Sequence, residues 1–148
     1  MTQMQRIELA PGYSVSRIIK GGWQLAGDHG SVDRATAIAD MGAYYEAGMT
    51  AFDCADIYTG VEEMIGEFRA DYRKRRGAES LAQLKIHTKF VPDLSSLRTI
   101  DRKLVEQTID RSLSRLRVER LDLVQFHWWD YSVPRYLEVA QWLLELQR

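Results

Sequence analysis

Short apolar segments alternate with amphipathic helical segments four times along this chain of 148 residues, and this alternation limits the folds available to it. The predicted strands are residues 18–20, 49–53, 84–90 and 121–127. Each is followed by apolar residues at helical spacing. Repeated βα units with short connections require a parallel sheet with right-handed crossovers. The chain is therefore predicted to belong to the α/β class.

A hairpin is predicted ahead of the first βα unit, because residues 6–9 and 13–16 flank the turn sequence Pro11-Gly12. We expect one domain over residues 1–148, in which residues 1–16 form the hairpin and residues 17–148 form βα units one to four. The predicted helix N-caps are Asp33, Thr59, Asp101 and Ser132. Thr59 and Glu62 have the spacing of a capping box, and the fourth helix is expected to carry Leu137, Ala140 and Leu144 on one side.

Composition excludes several classes of partner. The net charge of −1 gives no overall attraction to nucleic acid or to an anionic membrane. The sequence contains no stretch of transmembrane length. A single cysteine excludes an intrachain disulfide and fits a reducing compartment, so a cytoplasmic location is expected. Three scattered histidines lack the spacing of metal ligands, so no metal site is expected.

Four side chains with useful chemistry stand at or just beyond the ends of predicted strands: Asp53, Tyr58, Lys89 and His127. In a parallel barrel these strand ends share one rim, where active sites are built. Taken singly, each has an ordinary explanation as a loop cap, a packed aromatic, a solvent-facing charge or a structural imidazole. Their joint occurrence favours a shared site.

Such a set is suited to proton donation. A phenol with a pKa near about 10 is a poor acid at neutral pH, but a neighbouring ammonium stabilises the phenolate. An aspartate beside the lysine keeps that amine charged, and a neutral imidazole can orient a substrate oxygen. The result is a proton donor for a carbonyl oxygen. Its natural electron source is a hydride-donating nicotinamide.

Four stretches resemble the aldo-keto reductase family in their order and separation: Gly21-Gly22-Trp23, residues 52–58, Thr88-Lys89-Phe90 and residues 125–128. The resemblance implies a fold of the (β/α)8 TIM-barrel type, of which this chain holds the hairpin and four βα units, a half barrel. It also implies reduction of small-molecule aldehydes or ketones to alcohols by NADP(H). Asp53, Tyr58, Lys89 and His127 would be the catalytic tetrad, with Tyr58 as general acid.

The same resemblance implies where ligands would bind. The nicotinamide would lie near Asp53 and the Gly22-Trp23 loop. Trp23, Trp128 and Trp129 are candidates for an apolar substrate pocket, although ordinary packing explains these indoles equally well.

A complete barrel of this type takes ~250 residues, whereas this sequence stops after the fourth helix. We therefore expect a truncated reductase that keeps its proton-transfer residues but lacks the loops after the last strands, where a barrel usually binds phosphate. Open sheet edges would favour self-association. Inactivity of this chain by itself is a serious alternative.

Two other functions remain open at this stage. Lys89 can act as the nucleophile of a Schiff-base aldolase, although a neighbouring Asp53 disfavours the neutral amine that this requires. A non-enzymatic interaction protein is the second alternative. The sequence leaves open the substrate, the reaction direction and the choice between NADP and NAD.

Four further residues are assigned structural roles. His87 is expected inside the barrel with a hydrogen-bond partner, and Cys54 is expected to pack in the core. His29 is expected to be solvated. Arg117 stands where the family usually has glycine, so it should strain one turn slightly.

Overall fold

The computed structural model describes residues 4–27 and 30–147, so the prediction for His29 lies outside the described residues. Within them, the strands are β1 (Arg6–Ala10), β2 (Tyr13–Ser16), β3 (Lys20–Gly21), β4 (Ala51–Asp53), β5 (Lys85–Phe90) and β6 (Leu123–Phe126). The helices are α1 (Arg34–Glu46), α2 (Val61–Arg76), α3 (Arg102–Leu116) and α4 (Tyr136–Leu146). The order predicted from the sequence, a hairpin followed by four βα units, is confirmed.

The four βα strands form one parallel sheet in the order β3-β4-β5-β6. Asp53 pairs in register with His87, and Lys89 pairs with Gln125. Because all four strands run in the same direction, their carboxyl ends lie at one edge of the sheet. That edge carries the candidate residues.

The hairpin of β1 and β2 turns at Gly12, whose φ of 74° favours glycine. Side-chain hydrogen bonds join it to the sheet, and the Ser16 hydroxyl is one acceptor, from the Thr50 amide at 3.0 Å. The Tyr13 hydroxyl lies 3.0 Å from Nε2 of His87, and Arg6 donates to the Thr50 hydroxyl at 2.7 Å. His87 is buried and hydrogen-bonded, as predicted.

Two apolar clusters form the core. The first packs α1 and α2 on the sheet, with the rings of Phe52 and Phe68 5.7 Å apart. The second lies around α3 and α4 and is built on Phe90, Trp128 and Val139. Cys54 is fully buried, in agreement with its predicted packing role.

The N-caps predicted for α1 and α3 are confirmed. Asp33 accepts a hydrogen bond from the Thr36 amide at 2.7 Å, and Asp101 accepts one from the Leu104 amide at 2.9 Å. Arg117 ends α3 with φ at 55°, the left-handed conformation expected where the family has glycine.

The predicted capping box at Thr59 is wrong. Gly60 is the N-cap of α2, with φ at 74°, and no side chain among the described residues caps that helix end. Glu62 points into the interior and accepts a hydrogen bond from the Thr88 hydroxyl at 2.7 Å. A partner on a distant strand has displaced the local capping interaction.

The fourth helix also begins later than predicted. The Ser132 amide donates to Asp130 at 2.9 Å, and the indole of Trp128 donates to the carbonyl of Val133, so residues 131–135 form turns and α4 begins at Tyr136. Val139 is the side chain that α4 buries, whereas Leu137 and Leu144 of the predicted apolar side are 64% and 61% exposed.

The first parallel strand is shorter than predicted. The Ser16 hydroxyl donates a hydrogen bond to the carbonyl of Ile18 at 2.7 Å, and both Ile18 and Ile19 are exposed. In the described part of the chain, no helix is both long and apolar enough to cross a membrane.

Candidate active site

An ion pair stands at the carboxyl edge of the sheet. The Lys89 ammonium, near the end of β5, lies 2.5 Å from Oδ2 of Asp53 at the end of β4. It also donates to the carbonyl of Cys54 at 3.0 Å. Both side chains are largely but not fully buried, with exposures of 21% and 27%. The ammonium thus faces a carboxylate and a carbonyl oxygen, the arrangement that the sequence predicts around Lys89.

Gln125 holds the second oxygen of Asp53. Its amide nitrogen donates to Oδ1 at 2.7 Å, so each carboxylate oxygen has its own partner. Sequence reasoning missed this residue. Gln125 stands two positions before His127, and side chains two apart on a strand share a face, which is the signal that could have found it.

Tyr58 lies in the turn between β4 and α2, where its ring is beside the ion pair. The Lys89 ammonium is 5.2 Å from the ring centroid. Hydrogen bonds from the Tyr58 amide to the carbonyl of Ala55 and from the Val61 amide to the carbonyl of Tyr58 fix the turn, both at 3.1 Å. The structure therefore brings Asp53, Tyr58 and Lys89 together on one side of the sheet.

His127 follows β6 at the same edge. Its amide donates to the carbonyl of Phe90 at 3.0 Å, and its ring meets Trp129 edge to face at 4.4 Å. Trp129 in turn donates its indole hydrogen to the carbonyl of Pro92 at 2.8 Å and is half exposed. These contacts join the loops that follow β5 and β6.

The two other tryptophans differ from each other. Trp23 lies in a short helical turn (Trp23–Ala26) after β3 and is 49% exposed. Trp128 was a candidate for the substrate pocket, but it is buried in the second core. Its indole donates to the carbonyls of Asp130 and Val133, so its placement is that of a packing residue.

Gly22 permits close contact between the β3 loop and the site. A Cβ at this position would lie 2.8 Å from the carbonyl oxygen of Asp53 and 2.8 Å from Cγ1 of Val61. The close packing at this position therefore requires glycine, independently of any contact between Gly22 and a cofactor.

A buried carboxyl, Asp56, lies beneath the Tyr58 turn. Burial raises the pKa of Asp56 to about 6, and the charge of Glu62 adds to the rise. The hydrogen bond from the Val91 amide and the charge of Arg111 oppose it. Sequence reasoning assigned no role to Asp56, since its burial depends on partners remote in sequence.

The raised pKa of Asp56 predicts how stability changes with pH. The folded state binds the proton of the Asp56 carboxyl more tightly than the unfolded state does. The stability that this proton contributes is therefore complete below the unfolded pKa and is lost as pH rises through about 6. Asn can still accept the Val91 amide hydrogen, so Asp56→Asn should remove this dependence. When the pH is raised from about 5 to about 8, we expect the free energy of unfolding of the variant to increase by about 1 kcal/mol relative to that of the parent. Urea unfolding of both proteins at the two pH values measures this change. An equal difference in the free energy of unfolding between variant and parent at both pH values would contradict the prediction.

The residues at this edge fit the nicotinamide end of a dinucleotide. The carboxylate of Asp53, the ammonium of Lys89 and the amide of Gln125 provide polar groups, and the half-exposed indoles of Trp23 and Trp129 suit a planar ring. Between residues 4 and 147, leaving out 28 and 29, no group of three or more His, Cys, Asp or Glu side chains is placed to hold a metal ion.

Residues 17–148 match the Aldo/keto reductase family. The chain belongs to the aldo/keto reductase family. Among curated aldo/keto reductase relatives, YhdN of Bacillus subtilis is 32% identical over 141 residues, covering 91% of this chain and 40% of the relative. A putative aryl-alcohol dehydrogenase of Saccharomyces cerevisiae is 30% identical over 136 residues, covering 81% of this chain and 35% of that protein. The chain thus spans well under half the length of these relatives.

Solved aldo/keto reductase structures share the fold. A putative aldo-keto reductase from Pseudomonas aeruginosa superposes with a TM-score of 0.75 at 23% identity, over 97% of this chain and 55% of that one. The Bombyx mori aldo-keto reductase in complex with NADP gives a TM-score of 0.72 at 20% identity, over 98% of this chain and 47% of that one. The predicted half of a (β/α)8 barrel is confirmed.

Proposed function

We propose that this chain carries the proton-transfer half of an NADP(H)-dependent reductase, which converts aldehydes or ketones to alcohols. The observation that carries the proposal is the Lys89 ammonium, which is paired with Asp53 and lies beside the ring of Tyr58 at the carboxyl edge of a parallel sheet. The NADP complex of the Bombyx mori neighbour supports the choice of cofactor.

Reduction of a carbonyl needs a hydride at carbon and a proton at oxygen. Bound NADPH supplies the hydride. Tyr58 donates its hydroxyl proton to the developing alkoxide, and the Lys89 ammonium stabilises the phenolate that remains. Asp53 orients Lys89 through their hydrogen bond, and His127 hydrogen-bonds the substrate oxygen.

The remaining assignments place ligands around this centre. Gly22, Trp23 and Asp53 would contact the nicotinamide end of the cofactor, and Trp23 and Trp129 would line the carbonyl pocket. The half-exposed indoles support this role, because large aromatic side chains that are partly open to solvent suit the binding of small organic substrates. A cytoplasmic location remains a prediction.

The Schiff-base alternative is disfavoured by the ion pair. A Schiff base needs a neutral Lys89, whereas Asp53 at 2.5 Å stabilises the ammonium. Trapping of a carbonyl compound on Lys89 by borohydride would restore this alternative.

Self-association is a second proposal, which rests on exposed aliphatic side chains ahead of β3 and on α4. Ile18 and Ile19 precede β3, and Leu137 and Leu144 lie on α4. Sedimentation of the purified chain tests this proposal, and a monomer at all concentrations would contradict it.

The reductase proposal is tested by following NADPH oxidation with and without a panel of aldehydes and ketones. We expect oxidation that depends on the carbonyl compound and is lost in Lys89→Met, which removes the cation beside Tyr58. Arg75→Met is a matched control, because Arg75 pairs with Asp71 on the exposed surface of α2. Absence of carbonyl-dependent oxidation by the parent chain would contradict the proposal.

A further inference from the structure

A fully buried carboxylate lies directly under the proposed site. Glu62, in the first turn of α2, has a side-chain exposure of 0%. Its Oε1 accepts the Thr88 hydroxyl hydrogen at 2.7 Å, and Thr88 immediately precedes Lys89 on β5. Burial of a carboxylate is costly unless it is hydrogen-bonded and paired with a cation. The cation that pairs with Glu62 comes from a different helix.

That cation is Arg115, near the end of α3. Its Nη1 donates to the carbonyl of Asp56 at 3.0 Å and lies 3.4 Å from Oε2 of Glu62. Its Nε is 3.0 Å from Oε1 of Glu63. One planar guanidinium thus contacts both the turn that bears Tyr58 and the start of α2, a geometry that the fork of an arginine suits.

The same turn is bonded to β5 on both sides of Lys89. The Cys54 amide donates to the carbonyl of His87 at 2.8 Å, and the Asp56 amide donates to the carbonyl of Lys89 at 3.1 Å. The Val91 amide completes the contact by donating to Oδ1 of Asp56 at 3.1 Å. The backbone that carries the phenol and the backbone that carries the amine therefore form one hydrogen-bonded unit.

We propose that Arg115 is a positioning residue for the Tyr58–Lys89 pair. Arg115 donates a hydrogen bond to the carbonyl of Asp56 and forms an ion pair with Glu62. Glu62 in turn accepts a hydrogen bond from Thr88, the residue next to Lys89. This inference rests on the proposed function, since it assigns Arg115 a role in placing the proposed acid. The contacts described for Arg115 are with the Asp56 carbonyl, Glu62 and Glu63, so it acts on the Tyr58–Lys89 pair through these groups.

The alternative is that Arg115 stabilises helix packing in general, without any particular effect on the turn. Amide hydrogen exchange followed by NMR separates the two, because it reports each backbone position. In Arg115→Met, we expect exchange of the Asp56 and Tyr58 amides to accelerate by roughly tenfold to a hundredfold, since a charge-assisted hydrogen bond to the turn is lost. The ¹³Cζ resonance of Tyr58 should shift, because the nearby ammonium changes place.

Arg102→Met is the matched control. Arg102 begins the same helix and forms exposed ion pairs with Glu106 and Glu145, remote from the turn. We expect it to leave the exchange of both turn amides within about twofold of the parent. Arg115→Lys keeps the charge and should recover part of the protection and of the Tyr58 resonance position.

Unchanged exchange at Asp56 and Tyr58 in folded Arg115→Met would overturn the inference, as would equal acceleration at every amide of the chain. If Arg115→Met fails to fold, Arg115→Lys applies the test, because it keeps the charge beside Glu62 but lacks the fork that reaches the Asp56 carbonyl and both carboxylates at once; exchange at Asp56 and Tyr58 at the parent rate in this variant would also overturn the inference. These measurements need no turnover. A failed NADPH assay would therefore overturn the proposed function and leave the role of Arg115 in fixing the turn to be judged by exchange alone.

Discussion

In a reductase that carries this site together with phosphate-binding loops, Tyr58→Phe is expected to lower the rate of carbonyl reduction by roughly 10²–10⁴-fold while NADPH binding stays nearly intact. The substitution removes only the hydroxyl group, so the ring keeps its place 5.2 Å from the Lys89 ammonium. Asp53 and Gln125 retain their bonds, since neither depends on the phenol. Without a proton donor, the developing alkoxide is not neutralised. Initial rates of NADPH oxidation and fluorescence titration with NADPH measure the two effects separately.

Tyr45→Phe is the control for this variant. The Tyr45 hydroxyl donates to the carbonyl of Ser80 at 3.0 Å, on the helical side of the sheet. Its loss should leave reduction unchanged. Turnover by Tyr58→Phe at the parent rate would show that Tyr58 is not the acid, and a matching loss in Tyr45→Phe would point to a general effect on folding.

Gly66→Ala is expected to lower the free energy of unfolding by about 3 kcal/mol, the upper end of the usual cost of overpacking. Gly66 lies inside α2, against the C-terminal end of α3. A Cβ there would stand 2.1 Å from the carbonyl oxygen of Arg115, and that oxygen is backbone, so the whole end of α3 must move. Urea unfolding measures the loss.

Gly42→Ala provides the matched control, because it makes the same change inside α1. The nearest atoms to its Cβ would be ring carbons of Phe68 and Tyr72 at 3.9 Å, which is ordinary contact. Alanine is the better helix former, so this variant should gain about 0.5–1 kcal/mol. Equal stability changes at Gly42 and Gly66 would contradict the close approach of α2 and α3.

Much of the fold could be predicted from the sequence because its signals are local. Alternating strands and helices specify a parallel sheet, and Asp33 and Asp101 cap helices within three residues of themselves. The errors at Thr59 and Ser132 have the opposite cause. Glu62 is bonded to Thr88 on another strand, and the turn after Trp128 depends on a buried indole, so local spacing was misleading at both places.

The candidate site likewise contains residues that could be predicted from the sequence and residues that could not. Asp53 and Lys89 could be placed together because strand ends of a parallel sheet share an edge. Gln125, Asp56 and Arg115 could not be found from strand ends alone. Their importance comes from partners 72, 35 and 53 residues away in the sequence, which only the folded chain reveals.

The bonds described for the Tyr58 turn come from β5 and α3, whereas the exposed indole of Trp129 lies on the loop after β6. In the proposed reductase, the acid and the pocket wall are thus encoded by separate segments of the gene. Substituting Trp129 can then change the carbonyl compounds accepted without touching the bonds that hold the Tyr58 turn, while its contact with the His127 ring couples it to the residue proposed to orient the substrate oxygen. That separation makes this loop the place to begin directed evolution of new substrate preferences.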